Sequence, residues 1–414
     1  MFHNENRAIQ ARRLEGNTRR NIDYSIDSYA PVQKFSYELL LQNLGESNPV
    51  LSPVSAYLAV SMAGLGAEGE TYKEFQEVLG LDMMYLPDDL ANRLPEDRDG
   101  LQVYLANSVW LDERLKVQEC WLTDVYSFYK ADVYQTTLAS EEAKNDINIW
   151  VEQNTEGLIP EFLSEPLKTD VDMMILDTVF FRGKWASPFE EHNTRKREFK
   201  LENGQVVMAD TMSMLIGISM SLRQYFQNDI AEGVILPYRG DTYSFVAVKP
   251  AEGLTVRDMY EQLTMEKLME LVYTCALMYE HLTVEKLREL ADTGTLKWIR
   301  LLMPKFEISF DCMLNDSLQD MGLCNAFGPQ ADFGKIAAKP FYISQVRQKA
   351  VFRLDEEGTE AAAATKVELM RGGVQEELLY PLYFDKPFLY MVIENETRVP
   401  LFMGIMDNPV VLSD

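Results

Sequence analysis

The chain's thiol and imidazole chemistry is sparse and dispersed. Cys120, Cys275, Cys312 and Cys324 form no CxxC pair, and there are only three histidines, His3, His192 and His281. A zinc site or a Cys–His catalytic pair draws on such groups in patterned clusters, so no metal, no cofactor and no such catalysis is expected. No other nucleophile and base constellation is recognisable, which argues against an enzyme. What the chain offers instead is a place where chemistry could be done to it. Met370, Arg371, Gly372, Gly373 and Val374 set a basic side chain beside two glycines, a backbone that adapts readily to a protease cleft. Arg371 suits a trypsin-like pocket, whereas Met370 or Val374 suits chymotrypsin-like or elastase-like ones.

The residues leading into that segment carry two structural instructions at once. Glu360, Ala361, Ala362, Ala363 and Ala364 favour a helix, because alanine has the highest intrinsic helix preference. Read with period two, the same stretch is a half-buried strand. Thr359, Ala361, Ala363, Thr365, Val367 and Leu369 form a small or apolar set, and Glu360, Ala362, Ala364, Lys366, Glu368 and Met370 a mostly polar or long one. The alternation stops at Met370. A segment suited to two conformations is expected to switch between them.

The elements that must hold this segment read as one α+β domain. With 414 residues and 47% hydrophobic content the chain can bury a large core and lies outside the disordered class. No run of 18 apolar residues occurs, and the first residues lack the apolar stretch of a signal peptide. A net charge of −26 argues against nucleic acid as a partner and favours encounter with a cationic protein, although an acidic surface also serves solubility alone. Residues 1–29 are polar and are expected to be a poorly ordered leader to a single domain over 30–414. Val32 to Leu44 predicts an amphipathic helix, and the stretch from Ser52 and Pro53 an apolar one opened at its cap and first turn. A helix is expected to end near Gly157 and a buried strand to run from Met173 to Phe181. MPKFEISF, PFLYMVIE and VPLFMGIM predict further strands. LTMEKLMEL (Leu263 to Leu271) recurs as LTVEKLREL (Leu282 to Leu290), which reads as a duplicated short surface helix.

Five segments in order, from about Pro31 to Val411, resemble the serpins, the serine protease inhibitor superfamily. They are Asn48 to Thr71, Val179 to Phe189 (VFFRGKWASPF), Met303 to Ser309, Asp355 to Thr365 (DEEGTEAAAAT), and Asp385 to Pro409. The resemblance implies three β-sheets, eight or nine helices and an exposed reactive loop over about 356–383, its hinge being Glu356, Glu357, Gly358, Thr359 and the residues through Thr365. A target serine protease, or a cysteine protease, would cut this loop and be held as an acyl-enzyme while the freed hinge inserts into the main sheet as a new strand. The protein would then be a secreted monomer consumed in one round, with no nucleic acid or membrane among its partners. Low cysteine use and Gln348 lean towards a prokaryotic member. The runner-up reading is a non-inhibitory serpin that binds, chaperones or stores. Counting from Gly358, the family's scissile bond falls after Gly372, and a loop about four residues longer than usual leaves the cut within Met370 to Val374.

The residues explain why such a hinge has this composition. Inserted positions 359, 361, 363 and 365 must be small, since a charge there would be buried without a partner. About a dozen new ladder hydrogen bonds, with burial of Val367 and Leu369, would supply on the order of 10 to 20 kcal/mol. That rivals the ~5 to 15 kcal/mol stability of a domain, enough to deform a tethered protease. By the resemblance, Asn48, Ser52, Pro53 and Ser55 lie at a shutter beneath the parting strands. Gly183, Lys184, Trp185 and Phe189 lie at a breach where insertion begins, with Glu356 paired to Lys305. Two departures stand out. Asp177 and Gln348 replace the family's shutter asparagine and histidine, and a Gln amide can donate to a carboxylate, so the two are expected to touch. About 20 extra residues lie between Pro250 and Pro304, and the family offers no role for them.

Overall fold

The structure is a computed structural model that describes residues 12–14, 25–80, 82–98, 100–217, 224–280, 298–359 and 379–410. Among them are nine α-helices and three sheets of eight, six and four strands, an α+β architecture. The main sheet runs Arg12–Leu14, Asp132–Thr136, Leu101–Asp112, Met173–Lys184, Gly358–Thr359, Gln345–Leu354, Phe306–Met313, with Glu96–Arg98 paired beside Leu101–Asp112. Behind it lies the six-stranded sheet centred on Tyr243–Pro250, Phe388–Glu394 and Pro400–Met406, whose last two strands are buried throughout. Strands with no solvent face need no alternation, and PFLYMVIE as far as Ile393 and VPLFMGIM are accordingly continuous apolar runs.

One large core fills the space between these two sheets and takes in the helix Pro53–Leu65, buried on nearly every side. Its start is set by Pro53 in the first turn, where a missing N–H costs nothing. Ser52 occupies the cap position, but its hydroxyl makes no capping bond. A smaller core lies on the other face of the main sheet, under the helix Glu141–Asn154. There Ser140 Oγ accepts the Ala143 N–H at 3.0 Å, Glu141 and Glu142 sit in the positive first turn, and Ile147, Trp150 and Val151 face the sheet. The helix ends at Asn154, three residues before the expected Gly157, which follows with φ +80°.

Three expectations need adjustment. MPKFEISF is not one strand: Trp298–Pro304 belongs to the four-stranded sheet and Phe306–Met313 to the main sheet, with Lys305 at the junction. Within the leader, Arg12–Leu14 pairs antiparallel with Asp132–Thr136, whose free edge offers the backbone partners a short segment needs, and Ile26–Tyr29 forms a 3-10 turn. The first copy of the repeat enters a longer helix, Met265–Glu280, from its third residue on, while its Leu263 caps the end of the preceding helix; the second copy lies outside the described residues.

Candidate functional site: a gap in the main sheet

The strands Met173–Lys184 and Gln345–Leu354 run parallel but pair only at one end. Met174 to Asp177 matches Gln345 to Gln348, and beyond this the two strands share no further rung among the described residues. At the other end Gly358–Thr359 is wedged between them, antiparallel to both: Thr359 lies opposite Gly183 on one side and Leu354 on the other. Between wedge and closed end sits a cavity of about 50 Å³ lined by Leu158, Phe181, Val351, Phe352 and Thr359, among others. Two facing strand edges with unspent N–H and C=O groups form a slot for one more antiparallel strand. Only glycine can open it. A Cβ on Gly358 would stand 1.9 Å from the Gly183 carbonyl oxygen, and one on Gly183 would meet Tyr238 and Phe181.

The wedged end is held by the residues around Trp185. Its ring stacks on Tyr238 at 4.7 Å, its Nε1 donates to the Asp355 carbonyl at 3.0 Å, and its backbone N–H donates to Glu357 at 2.9 Å. The Phe189 N–H donates to the Glu356 carbonyl at 2.9 Å, and the Lys184 N–H to Gly100 at 2.8 Å. Glu356 is buried; its carboxylate accepts from Thr194 Oγ1 at 2.6 Å and faces Lys305 Nζ at 3.4 Å. Burial opposes its charge. The Thr194 hydroxyl, its own backbone N–H and the Lys305 ammonium outweigh that and hold the carboxyl below its ordinary value.

The closed end rests on a buried polar cluster. Gln348 Oε1 accepts the Ser52 N–H at 2.8 Å, while its Nε2 donates to the Ser52 carbonyl at 2.9 Å and to Asp177 Oδ2 at 3.1 Å. The Gln348 amide thus ties both strands to the start of the helix Pro53–Leu65. Ser55 Oγ is also buried here, without a partner. Asn48 is not part of the cluster. With φ +46° it turns towards the C-terminal end, donating to the Asn408 carbonyl at 2.8 Å and accepting from the Asp407 and Asn408 N–H groups. Lys349 Nζ donates to the Glu161 carbonyl at 2.9 Å and the Arg347 guanidinium lies 4.9 Å from the Phe162 ring centre, so the segment after Asn154 packs against the strand Gln345–Leu354.

Of the expected site residues, the structure brings Glu356, Glu357, Gly358, Thr359, Lys184, Trp185, Phe189 and Lys305 to one end of the slot, and Ser52, Pro53, Ser55, Asp177 and Gln348 to the other. The hinge residues Glu360 to Thr365 and the segment Met370 to Val374 lie outside the described residues. The expected loop limits move inward, because Gly358–Thr359 and Leu379–Tyr383 are already strands. Sequence reasoning missed Tyr238, Thr194 and Asn107, the last lying opposite Asp177 on the neighbouring strand. Neither Asn107 nor Tyr238 stood out in the sequence: Asn107 is one of several polar residues of its strand, with Gln102, Ser108 and Asp112.

A family model described as Serpin (serine protease inhibitor) matches residues 31–409. An α-1-antitrypsin-like protein of Tamias sibiricus is 30% identical, covering 90% of this chain and 86% of that one. The α-1-antiproteinase S of Cavia porcellus is 28% identical over 90% of this chain and 87% of its own length. Among solved structures, the thermophilic protein tengpin in its native state aligns with a TM-score of 0.84 at 25% identity, over 97% of this chain and 100% of that chain.

Proposed function

The chain belongs to the serpin family, and on that premise we propose that it is a suicide-substrate inhibitor of serine endopeptidases, with cysteine endopeptidases as a second target class. The observation that carries this reading is the parted strand pair with Gly358–Thr359 already seated at its open end. Register gives the slot a definite length. Each step forward along the hinge is one step back along Met173–Lys184, so Thr359 opposite Gly183 carries Ala361 to Phe181, Ala363 to Val179 and Thr365 to Asp177. The same count along Gln345–Leu354 brings Thr365 to Gln348, the residue already level with Asp177. Insertion as far as Ala364 therefore fills the open part of the slot, and Thr365 is the first residue whose entry breaks an existing rung, that of Asp177 with Gln348.

In the proposed cycle the protease nucleophile attacks a carbonyl within Met370 to Val374. The peptide bond breaks, the new amine leaves as an N-terminus, and an acyl ester, or a thioester with a cysteine enzyme, joins protease to hinge. Separation from Leu379–Tyr383 frees the hinge to enter the slot and carry the protease across the sheet. Arg371 makes a trypsin-like protease the leading target, acting on a monomer outside the cell. The alternating small residues from Thr359 to Thr365 favour this over a non-inhibitory role, which needs no such hinge.

The test is incubation with trypsin-like, chymotrypsin-like and elastase-like proteases. A covalent complex that survives SDS, with a C-terminal peptide whose mass places the cut within 370–374, is expected. Simple cleavage by every protease tried, cysteine proteases included, would remove the inhibitor reading.

A further inference from the structure

The polar cluster at the closed end leaves four oxygens unaccounted for, two of them the hydroxyls of Ser52 and Ser55, which stand out of hydrogen-bond reach of the other two. Asp177 Oδ1 and Asn107 Oδ1 are both buried and have no hydrogen-bond partner. They belong to residues directly opposite in the antiparallel register of Leu101–Asp112 with Met173–Lys184, so their side chains share a face at about 5 Å between Cβ atoms. Gln348 cannot serve them, since its Nε2 is already committed to the Ser52 carbonyl and Asp177 Oδ2. With Asn107 oriented as it is, an ionised Asp177 would set a buried, bare carboxylate oxygen beside another acceptor, whereas a protonated one supplies a donor between them.

The charged groups on the surrounding elements are engaged elsewhere. The helix Pro53–Leu65 carries none. On Leu101–Asp112 the charge is Asp112, paired with Arg114. On Gln345–Leu354, Arg347 pairs with Asp311, Lys349 reaches the Glu161 carbonyl, and Arg353 faces Glu307 and Asp355. On Asp177's own strand, Arg182 donates to Gln102 and Lys184 lies at the far, wedged end. Glu141, Glu142, Lys144, Asp146 and Glu152 of the helix Glu141–Asn154 belong to the element covering the opposite face of the sheet.

We propose that Asp177 is held as a neutral carboxylic acid while the sheet is closed, and that this proton latches the two strands so that the sheet opens more readily as pH rises. The latch bears on inhibition only through the insertion cycle proposed above, but it is a property of the sheet itself. Complete burial pushes the Asp177 carboxyl up to about 8, with the Gln348 hydrogen bond pulling the other way. Opening admits water, where a carboxyl ionises in its ordinary range, so opening releases one proton between that range and about pH 8. The rate then climbs by up to about tenfold per pH unit and levels off above the upper limit. The sign is opposite to that of a histidine, which would gain a proton and open in acid.

The intact chain, without protease, is held at a fixed elevated temperature from about pH 5.5 to about 9, and loss of the native state is followed by tryptophan fluorescence and native gels. The wild type should convert several-fold faster per pH unit up to about 8 and then flatten. Asp177→Asn, whose amide can donate to Asn107 and accept from Gln348, should show no such slope. Infrared difference spectra of the wild type provide a second reading: a protonated-carboxyl band should persist at neutral pH and vanish with a midpoint near 8. Equal slopes in the two proteins, or no protonated carboxyl in the wild type at neutral pH, overturns the latch. Failure to trap any protease while the slope and band are present would remove the inhibitor reading and leave the latch standing.

Discussion

The hydroxyls of Thr359 and Tyr238 lie 2.6 Å apart in a buried pocket, and the Tyr238 ring stacks on Trp185. The first inserted side chain of the hinge thus has a polar partner waiting just past the strand Ala231–Pro237, which limits how large it can be. Thr359→Arg would drive a charge against Tyr238 and Phe181 with no acid to meet it, at a cost of several kcal/mol, so the hinge should leave the slot. The expected result is a chain that proteases cut and release, seen as loss of the covalent band and gain of free cleaved product. Tyr238→Phe should be mild, about 1 kcal/mol of native stability in chemical denaturation.

Glu356 gives the wedged end an acid limit. Its carboxyl titrates below its ordinary value of 4.5 in the folded state, so the contact contributes stability that is present above that value and lost as pH falls through the lowered one. Acidification below about pH 4.5 should loosen the hinge, read as faster proteolytic nicking near 355–359 by an acid-active protease. Glu356→Gln should flatten this limb. Lys305→Ala should do little, because Lys305 is exposed enough for water to screen the pair.

How much of this was legible follows from range along the chain. Gly358 and Trp185 were readable because they sat in contiguous motifs, whose information is local; the period-two pattern over Glu360 to Thr365 falls outside the described residues. Sheet membership was not legible. MPKFEISF reads as one strand because periodicity records the face a residue takes, while only distant partners, Thr211 to Ile216 on one side and Arg347 to Leu354 on the other, divide it at Lys305. Asp177 and Gln348 could be paired in advance because each departed from an expected residue, but Asn107, seventy positions from Asp177 and matching no exception, could not. Asn48 was misplaced for a related reason: an amide in a family-like motif shows its chemistry without its direction, and a positive φ turns it towards Asp407 and Asn408.

Thr365 carries a prediction drawn from register alone. Full insertion sets it between Asp177 and Gln348, where its hydroxyl can replace the hydrogen bond those residues lose on separating. Thr365→Val keeps the shape and removes the hydroxyl, leaving buried polar atoms unserved at a cost of about 1 to 3 kcal/mol in the inserted form only. Uncleaved protein should melt as the wild type does, while the cleaved form should melt several degrees lower than wild-type cleaved protein. Calorimetry of both forms decides it, and an equal drop in the two would place Thr365 elsewhere.

Glu232 predicts what keeps an uncut loop out of the slot. Its Oε2 accepts from Tyr380 at 2.9 Å and Tyr225 at 3.1 Å, and its Oε1 pairs with Lys249 at 2.8 Å; Lys249 in turn donates to the Tyr383 carbonyl at 3.1 Å. Tyr380 and Tyr383 belong to Leu379–Tyr383, the strand on the far side of the loop from the hinge. An intact loop entering the main sheet pulls on that strand, which lies at the edge of the four-stranded sheet and pairs in parallel with Trp298–Pro304. Parallel edge pairing is a modest restraint, so the Glu232 cluster adds the resistance the edge lacks. Glu232→Ala removes two hydrogen bonds to a charged acceptor, each about 1.5 to 3 kcal/mol, only part of which is lost when the strand starts to peel. Spontaneous conversion of the uncut protein to a heat-resistant form should therefore quicken by roughly tenfold or more, while the first covalent complexes formed by fresh protein remain unaffected. Incubation at constant temperature, with residual complex formation measured over time, separates the two; an unchanged decay would show that the strand is held by its ladder bonds alone.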